Sequence, residues 1–436
     1  MSHNPPPKWD CVPAEWSISR LNELTSLITD GAHFSPKPKE EGFIIANVKD
    51  MKANYIDYEK CTKISKEDFL YLAANKCSPK ENDVLLSKDG TIGKVLVFKG
   101  EREIVLLSSI AIIRTNEIIF PGFLQCILRS FYFDEQLYAL QSGSALKRLI
   151  LKDIGQLLIP YPNTVIQEKI SKIIDTIDTA IYKTEELIAK YEQIKQGMMH
   201  DLFTQGIGEN NQLRPSYYDA PELYQETVIG FIPKDWEISS LGKISAIRRG
   251  ASPRPIDDPS YFSDNGRGWI RISDVTRSYK YLTKTTQYLS ELGASLSVPV
   301  NPGDLIMSIC ATIGKPVILN MKACIHDGFV FFDDIDENKI DKEYLIYFLI
   351  NNEQEISRNK QIGTQGNLNT DIVKSIAFPE PKIEEQKAIA KRLSALDETI
   401  NLERNLLSKL IEQKSGLMQD LLTGKVAVNV ERREAA

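Results

Sequence analysis

Two short turns carry the residues with the clearest chemical potential, Thr91-Ile92-Gly93-Lys94 and Thr312-Ile313-Gly314-Lys315. A glycine followed by a lysine can bring backbone N–H groups and an ammonium to one anion. The first turn is too short for a nucleotide-phosphate loop, because Lys88 stands where the first glycine of such a loop belongs. Metal chemistry has little to build on. The four histidines are scattered, and the six cysteines (Cys11, Cys61, Cys77, Cys126, Cys310, Cys324) include no CxxC. They read as free thiols in a reducing cytoplasm. No Asp plus Glu-x-Lys set of the nuclease kind falls on a predicted strand, and Glu385-Gln386-Lys387 opens a helical pattern instead.

The residues around those turns recur. Pro13-Ala14-Glu15-Trp16 with Ile18 and Leu21 returns as Pro233-Lys234-Asp235-Trp236 with Ile238 and Leu241. Asp83-Val84-Leu85 returns as Asp304-Leu305-Ile306, Gly143-Ser144 as Gly363-Thr364, and Asp153-Ile154 as Asp371-Ile372. Ile159-Pro160-Tyr161-Pro162 returns as Phe378-Pro379-Glu380-Pro381, and Gly197-Met198-Met199 as Gly416-Leu417-Met418. The offset stays between 218 and 221. Ordered matches at one offset mark a tandem duplication. Between the anchors, Thr25 to Asn82 and Ser245 to Asn301 share little. A duplicated frame with diverged filling suits one task performed on two different targets.

Each copy ends in a long helical pattern. The first stripe is Ile170, Ile174, Ile177, Ile181, Thr184, Ile188, Tyr191, Lys195, Met198, Leu202. The second is Ile389, Leu393, Leu396, Ile400, Glu403, Leu407, Leu410, Lys414, Leu417, Leu421. Steps of four and three give the 3.5-residue period of a coiled-coil seam. A proline precedes each pattern (Pro162, Pro381) and a glycine follows it (Gly206, Gly424), as start and stop signals. Forty residues of helix span about 60 Å, and so long an apolar stripe needs cover. The simplest cover is the other helix, antiparallel; the alternative is that each helix packs on its own domain. The matching polar breaks, Thr184/Glu403 and Lys195/Lys414, fix the register or face a partner protein.

The globular parts mix short strands and short helices. Residues 42–48, 83–87, 95–98, 269–272, 304–308 and 317–319 read as strands, and 124–131 and 344–350 as helices. The expected class is α+β, with an internal pseudo-two-fold repeat. The segments are a first globular domain (1–160), a long helix (161–206), a linker (207–225) rich in turn residues, a second globular domain (226–378), a second long helix (379–425) and a tail (426–436).

Composition sets bounds on all of this. Hydrophobic residues at 42% and charged residues at 26% describe an ordinary globular chain, and 436 residues suggest two or three domains. No apolar run reaches the roughly 18 residues of a membrane span, and the opening Met1-Ser2-His3-Asn4 is unlike a signal peptide. The net charge of −6 weighs against a stand-alone, non-specific DNA binder, which carries excess Lys and Arg.

Taken together, Trp16/Trp236, the paired Thr-Ile-Gly-Lys turns, the Pro-x-Pro approach to each helix, the helix starts Gln167-Glu168-Lys169-Ile170 and Gln386-Lys387-Ala388-Ile389, and the closing Met-x-Asp-Leu segments resemble specificity (S) subunits of type I restriction–modification systems. The resemblance spans nearly the whole chain. It implies that the two globular domains are target-recognition domains, each reading half of a bipartite, asymmetric site on double-stranded DNA. It also implies that the helices are spacers that set the gap and dock two modification subunits. Those partners bind S-adenosylmethionine and methylate adenine, and ATP-hydrolysing restriction subunits can join. This chain itself would bind no cofactor and perform no catalysis. Domains reading one face of B-DNA sit about 34–36 Å apart, or a multiple, which paired helices of this length can span.

Base edges and phosphates are contacted by Arg, Lys, Asn, Gln, Ser and Thr. The candidate DNA contacts are Lys88, Thr91, Lys94, Ser144, Lys147 and Arg148 in the first domain, and Arg248, Arg249, Arg254, Thr312, Lys315, Gln365 and Asn367 in the second. The Thr-Ile-Gly-Lys turn is open to two readings, a phosphate contact or a tight buried hairpin. The candidate helix seam is Ile170, Ile177, Ile181 and Ile188 with Ile389, Leu396, Ile400 and Leu407.

Two other readings fit less of the sequence, and a third fits it equally. Asn4-Pro5-Pro6-Pro7 approaches the Asn-Pro-Pro-aromatic motif of adenine methyltransferases, but Pro7 replaces the aromatic and no Gly-rich cofactor loop precedes it. A pure coiled-coil adaptor leaves two large diverged domains without a purpose. The recognition subunit of a fused cut-and-modify system would look the same in sequence.

Overall fold

The computed structural model describes residues 12–140, 148–358 and 368–428. The chain groups into two compact units, Met1–Glu186 with Arg404–Ala436, and Leu187–Glu403. Both long helices are therefore divided: each unit holds the start of one and the end of the other.

The first unit is built on a four-stranded antiparallel sheet in the order Thr25–Asp30, Ile110–Thr115, Val84–Ser87, Val95–Val97. The central strand has no exposed face: Val84, Leu85, Leu86 and Ser87 are all buried. The reason is that both faces are covered. Val84 and Leu86 pack with Phe123, Leu124, Ile170 and Leu421. Leu85 points the other way, to Ala46, Met51, Ile104 and Leu106. Period-two side-chain alternation assigns odd and even residues to different cores. A three-stranded sheet (Thr62–Ile64, Phe43–Ala46, Ile104–Leu106) adds the outer layer.

The second unit repeats the plan. Its five-stranded sheet runs Ala246–Arg249, Phe329–Asp333, Leu305–Ser308, Pro316–Leu319, Tyr281–Leu282. Leu305 and Met307 face the core that holds Ile389 and Leu393, while Ile306 faces Ile270, Val300 and Ile325. Each unit also pairs its opening strand with the strand that leads into its helix: Ser17–Arg20 with Leu158–Tyr161, and Glu237–Ser240 with Ala377–Glu380. The α+β class and the internal repeat stand.

The helices run Thr164–Thr204 and Ile383–Leu422. Within the first unit Ile170 and Ile174 share a core with Leu421 and Leu422, and Asp178 meets Lys414 at 2.5 Å. Within the second, Met199, Leu202 and Phe203 share a core with Ile389, Ala390 and Leu393, and Lys195 pairs with Asp397. Rising numbers on one helix meet falling numbers on the other, so the pairing is antiparallel in both units. Each helix also packs on globular residues, so the two expected kinds of cover operate together. Ile170, Ile177, Ile188, Ile389 and Ile400 are buried, and Ile181, Leu396 and Leu407 are half-buried.

The helix starts explain one repeated residue. Buried Gln167 accepts from the Phe120 N–H at 2.7 Å and donates to the Ile118 and Pro162 carbonyls. Gln386 accepts from the Asp341 N–H at 2.9 Å and donates to the Lys339 and Pro381 carbonyls. Each glutamine satisfies three backbone groups and ties the first helical turn to its globular part.

Residues 207–225, expected as a linker, are largely exposed and are anchored at a few points. Ile207, Ala220 and Tyr224 are buried, and Tyr224–Thr227 pairs with Gly230–Pro233. The cause is Glu385 at the start of the second helix. It accepts from the Ile207 N–H, the Trp236 indole and the Arg214 guanidinium, and Arg214 also holds Asp235 at 2.6 Å.

Candidate nucleic-acid interface

In each unit three chain segments meet beside one end of the central sheet. One is the Gly-Lys turn. The second is the loop leaving the sheet's first strand. The third is the stretch that precedes the final short helix. Leu149 N–H donates to the Lys88 carbonyl at 2.7 Å, and Leu368 N–H to the Ile309 carbonyl at 3.0 Å, the same bond in each copy. The loops after the first strands return by Ala32 N–H to Leu106 O and Ala251 N–H to Ile325 O. That return requires Gly31 and Gly250, since a Cβ at either would lie 2.1 Å from a backbone oxygen, of Leu106 or of His326.

The Gly-Lys turn resolves as a stapled hairpin. Ser87 Oγ donates to the Thr91 carbonyl at 2.6 Å and accepts from the Lys94 N–H at 2.8 Å. Ser308 makes the same pair of bonds to Thr312 and Lys315. Lys94 Nζ donates to the Val48 and Met51 carbonyls at 3.2 and 3.0 Å, which commits it to its own fold. Lys88 is 1% exposed and ion-paired with Asp30 at 2.9 Å. Burial and the Asp30 ion pair hold Lys88 inward, and internal acceptors hold the half-buried Lys94. Thr91 is exposed. Thr312 shares a hydrogen bond with Thr276 at 3.1 Å, and Lys315 is half-buried.

Exposed cations remain at the convergence. Arg148 is about half exposed, with Asp89 at 3.8 Å. In the second unit Arg248 is 65% exposed and pairs with Asp333 at 2.8 Å. Arg249 Nε donates to the Asp327 carbonyl at 2.8 Å, and Arg254 Nη2 lies 3.3 Å from the Asp327 carboxylate. Ser144, Lys147, Gln365 and Asn367 fall outside the described residues.

Asp327 escaped the sequence reading. It accepts from Ser252 Oγ at 2.7 Å. That bond, with Arg254 and His326 assisting, holds its carboxyl below the usual carboxylate range. Its neighbour His326 is pushed the other way from a charged state, by burial first and then by Arg271. The signals that could have located this loop were short: the Gly31-Ala32 and Gly250-Ala251 pairs, 219 apart.

The copies thus share hydrogen bonds and differ in side chains. Where the first unit buries an Asp30–Lys88 pair, the second has Arg249 and Ile309 at the corresponding places. A fixed backbone cradle with exchanged polar groups is suited to recognising different surfaces, and its donors suit base edges and phosphates.

The family described as "Type I restriction modification DNA specificity domain" matches twice, at residues 13–196 and 233–412. The type I restriction enzyme MjaVIII specificity subunit of Methanocaldococcus jannaschii is 27% identical over 435 residues, covering 96% of this chain and 94% of that one. Among solved structures, the type I restriction–modification S subunit from M. genitalium superposes with a TM-score of 0.59 at 14% identity, covering 93% and 96% of the two chains. A chain from a structure of type I R-M complex assembly and conformational transition gives 0.52 at 17% identity, covering 95% and 99%.

Proposed function

This chain belongs to the type I restriction–modification specificity subunits, and from that premise we propose that each globular unit reads one half of a bipartite, asymmetric site on double-stranded DNA. The observation that carries the reading is the shared cradle with exchanged side chains: one docking geometry with two chemistries implies two unlike half-sites. The converging loops offer Thr91 and Arg148 in the first unit and Arg249 and Arg254 in the second. The buried Lys88 and the inward-bonded Lys94 shape the first cradle from behind. The antiparallel helices set the gap between half-sites and dock two modification subunits, which bind S-adenosylmethionine and methylate adenine. Restriction subunits that hydrolyse ATP join that core. The chain supplies sequence choice and no catalysis.

With a net charge of −6, the isolated chain is a poor competitor for the counterion-coated duplex. Sequence-specific affinity belongs to the assembly. Titration of a site-containing duplex at fixed salt should show weak binding by the chain alone and tight, sequence-dependent binding once it is co-purified with its modification subunits. Equal affinity and equal selectivity without them would overturn the assembly reading.

A further inference from the structure

The loop after the strand Ala246–Arg249 is built around one carboxylate. Asp327 accepts from Ser252 at 2.7 Å and sits 3.3 Å from Arg254 Nη2, while its carbonyl accepts from Arg249 Nε. Tyr261 OH donates to the Arg254 carbonyl at 3.0 Å, fixing the backbone that carries the guanidinium. The Arg254 side chain is 68% exposed and that of Asp327 44%, so both keep an open edge. Asp257 and Asp258 follow in the same loop.

This charge pattern discriminates between ligands. Asp327, 3.3 Å from Arg254, already offsets part of the guanidinium charge, which weakens its pull on a phosphate. A base edge carries no net charge and is recognised by hydrogen bonds instead. Arg254 spends one N–H on Asp327 and keeps the rest of its five-donor fork, held by the ion pair in a restricted orientation. Guanine presents two acceptors, O6 and N7, in the major groove, and its cytosine partner presents the N4 amino donor. An arginine and an adjacent carboxylate match those three groups together.

Resting on the half-site reading above, we propose that Arg254 and Asp327 form a two-residue reader of a single G·C base pair, Arg254 donating to the guanine and Asp327 accepting from the cytosine amine. The pair makes Arg254 a determinant of sequence and not of general affinity.

The test uses the complex assembled with its modification subunits. A panel of duplexes carries each single base-pair change across the half-site, and binding is titrated over a range of salt for wild type, Arg254→Ala and Asp327→Asn. Wild type should discriminate against one G·C replacement on the order of tenfold to a hundredfold. Both variants should lose that discrimination at the same one position and keep it elsewhere, with an unchanged salt slope. Uniform weakening across the panel with a shallower slope would make Arg254 a phosphate contact and overturn the proposal. So would selectivity identical to wild type. If the wild-type complex shows no base preference at all, the half-site reading itself fails. Thermal midpoints of the two variants equal to that of wild type establish that the fold is retained.

Discussion

His326 lies in the second cradle in a state that pH can expose. Gly328 N–H donates to its Nδ1 at 2.9 Å, which only an unprotonated nitrogen accepts, and burial with Arg271 lowers its pKa from 6.5. The unfolded chain binds this proton at the ordinary value and the folded chain only below it. Stability is therefore complete above pH 6.5 and declines as pH falls through the folded value. His326→Asn should be less stable than wild type near neutrality, with the gap in thermal midpoint narrowing toward pH ~5. A gap that does not change with pH would contradict the neutral histidine. Gly250→Ala should destabilise by about 1–3 kcal/mol, because the loop must move off the His326 carbonyl; a denaturant midpoint equal to wild type would show the approach to be loose. Such residues were barely legible beforehand. A Gly-Ala pair is too short to register as a repeat, and a glycine's close neighbour is set by tertiary folding. The same holds for Lys88 and Lys94: their type marked them as donors, but the acceptors that hold them (Asp30, Val48, Met51) lie 43 or more positions away.

The helices were far more legible, because a 3.5-residue period is a local property of sequence. Their polar breaks were legible as positions and not as partners. Lys195 and Lys414, 219 apart, pair with Asp397 and Asp178, also 219 apart. Each lysine reaches a carboxylate that lies beside the apolar stripe on the other helix. In the first unit Arg129 joins at 3.1 Å from Asp178. In the second Tyr347 joins Asp397 at 2.5 Å, and burial, with that contact, pushes the phenol far above its ordinary range. Asp178→Ala strands two cations, one of them largely buried, and should cost about 3–5 kcal/mol. The drop should shrink when Lys414→Met and Arg129→Met are added, since the charges left uncompensated are then gone. A single-variant loss under about 1 kcal/mol would place this pair with screened surface bridges. The anchoring of the segment 207–225 was not legible. Its Gly, Asn and Pro content resembles a linker, yet Arg214 and the Ile207 N–H are captured by Glu385, some 170 residues away.

At the scale of the whole chain, tandem duplication was the strongest signal, and it survives as repeated sheet order, repeated glutamine ties and repeated serine staples. Divergence was legible only as dissimilar sequence; that it includes one loop of the cradle in each unit became visible with the loops in place. Among the described residues no helix is long and apolar enough to cross a membrane. Split-site recognition is tested most directly by mapping methylated adenines genome-wide in three strains: with this gene, without it, and with the diverged segments of its second unit replaced by those of another family member. The expected result is a two-part motif that disappears on deletion and, in the replacement strain, changes in one half alone. Methylation unaffected by deletion, or both halves changing together, would contradict it.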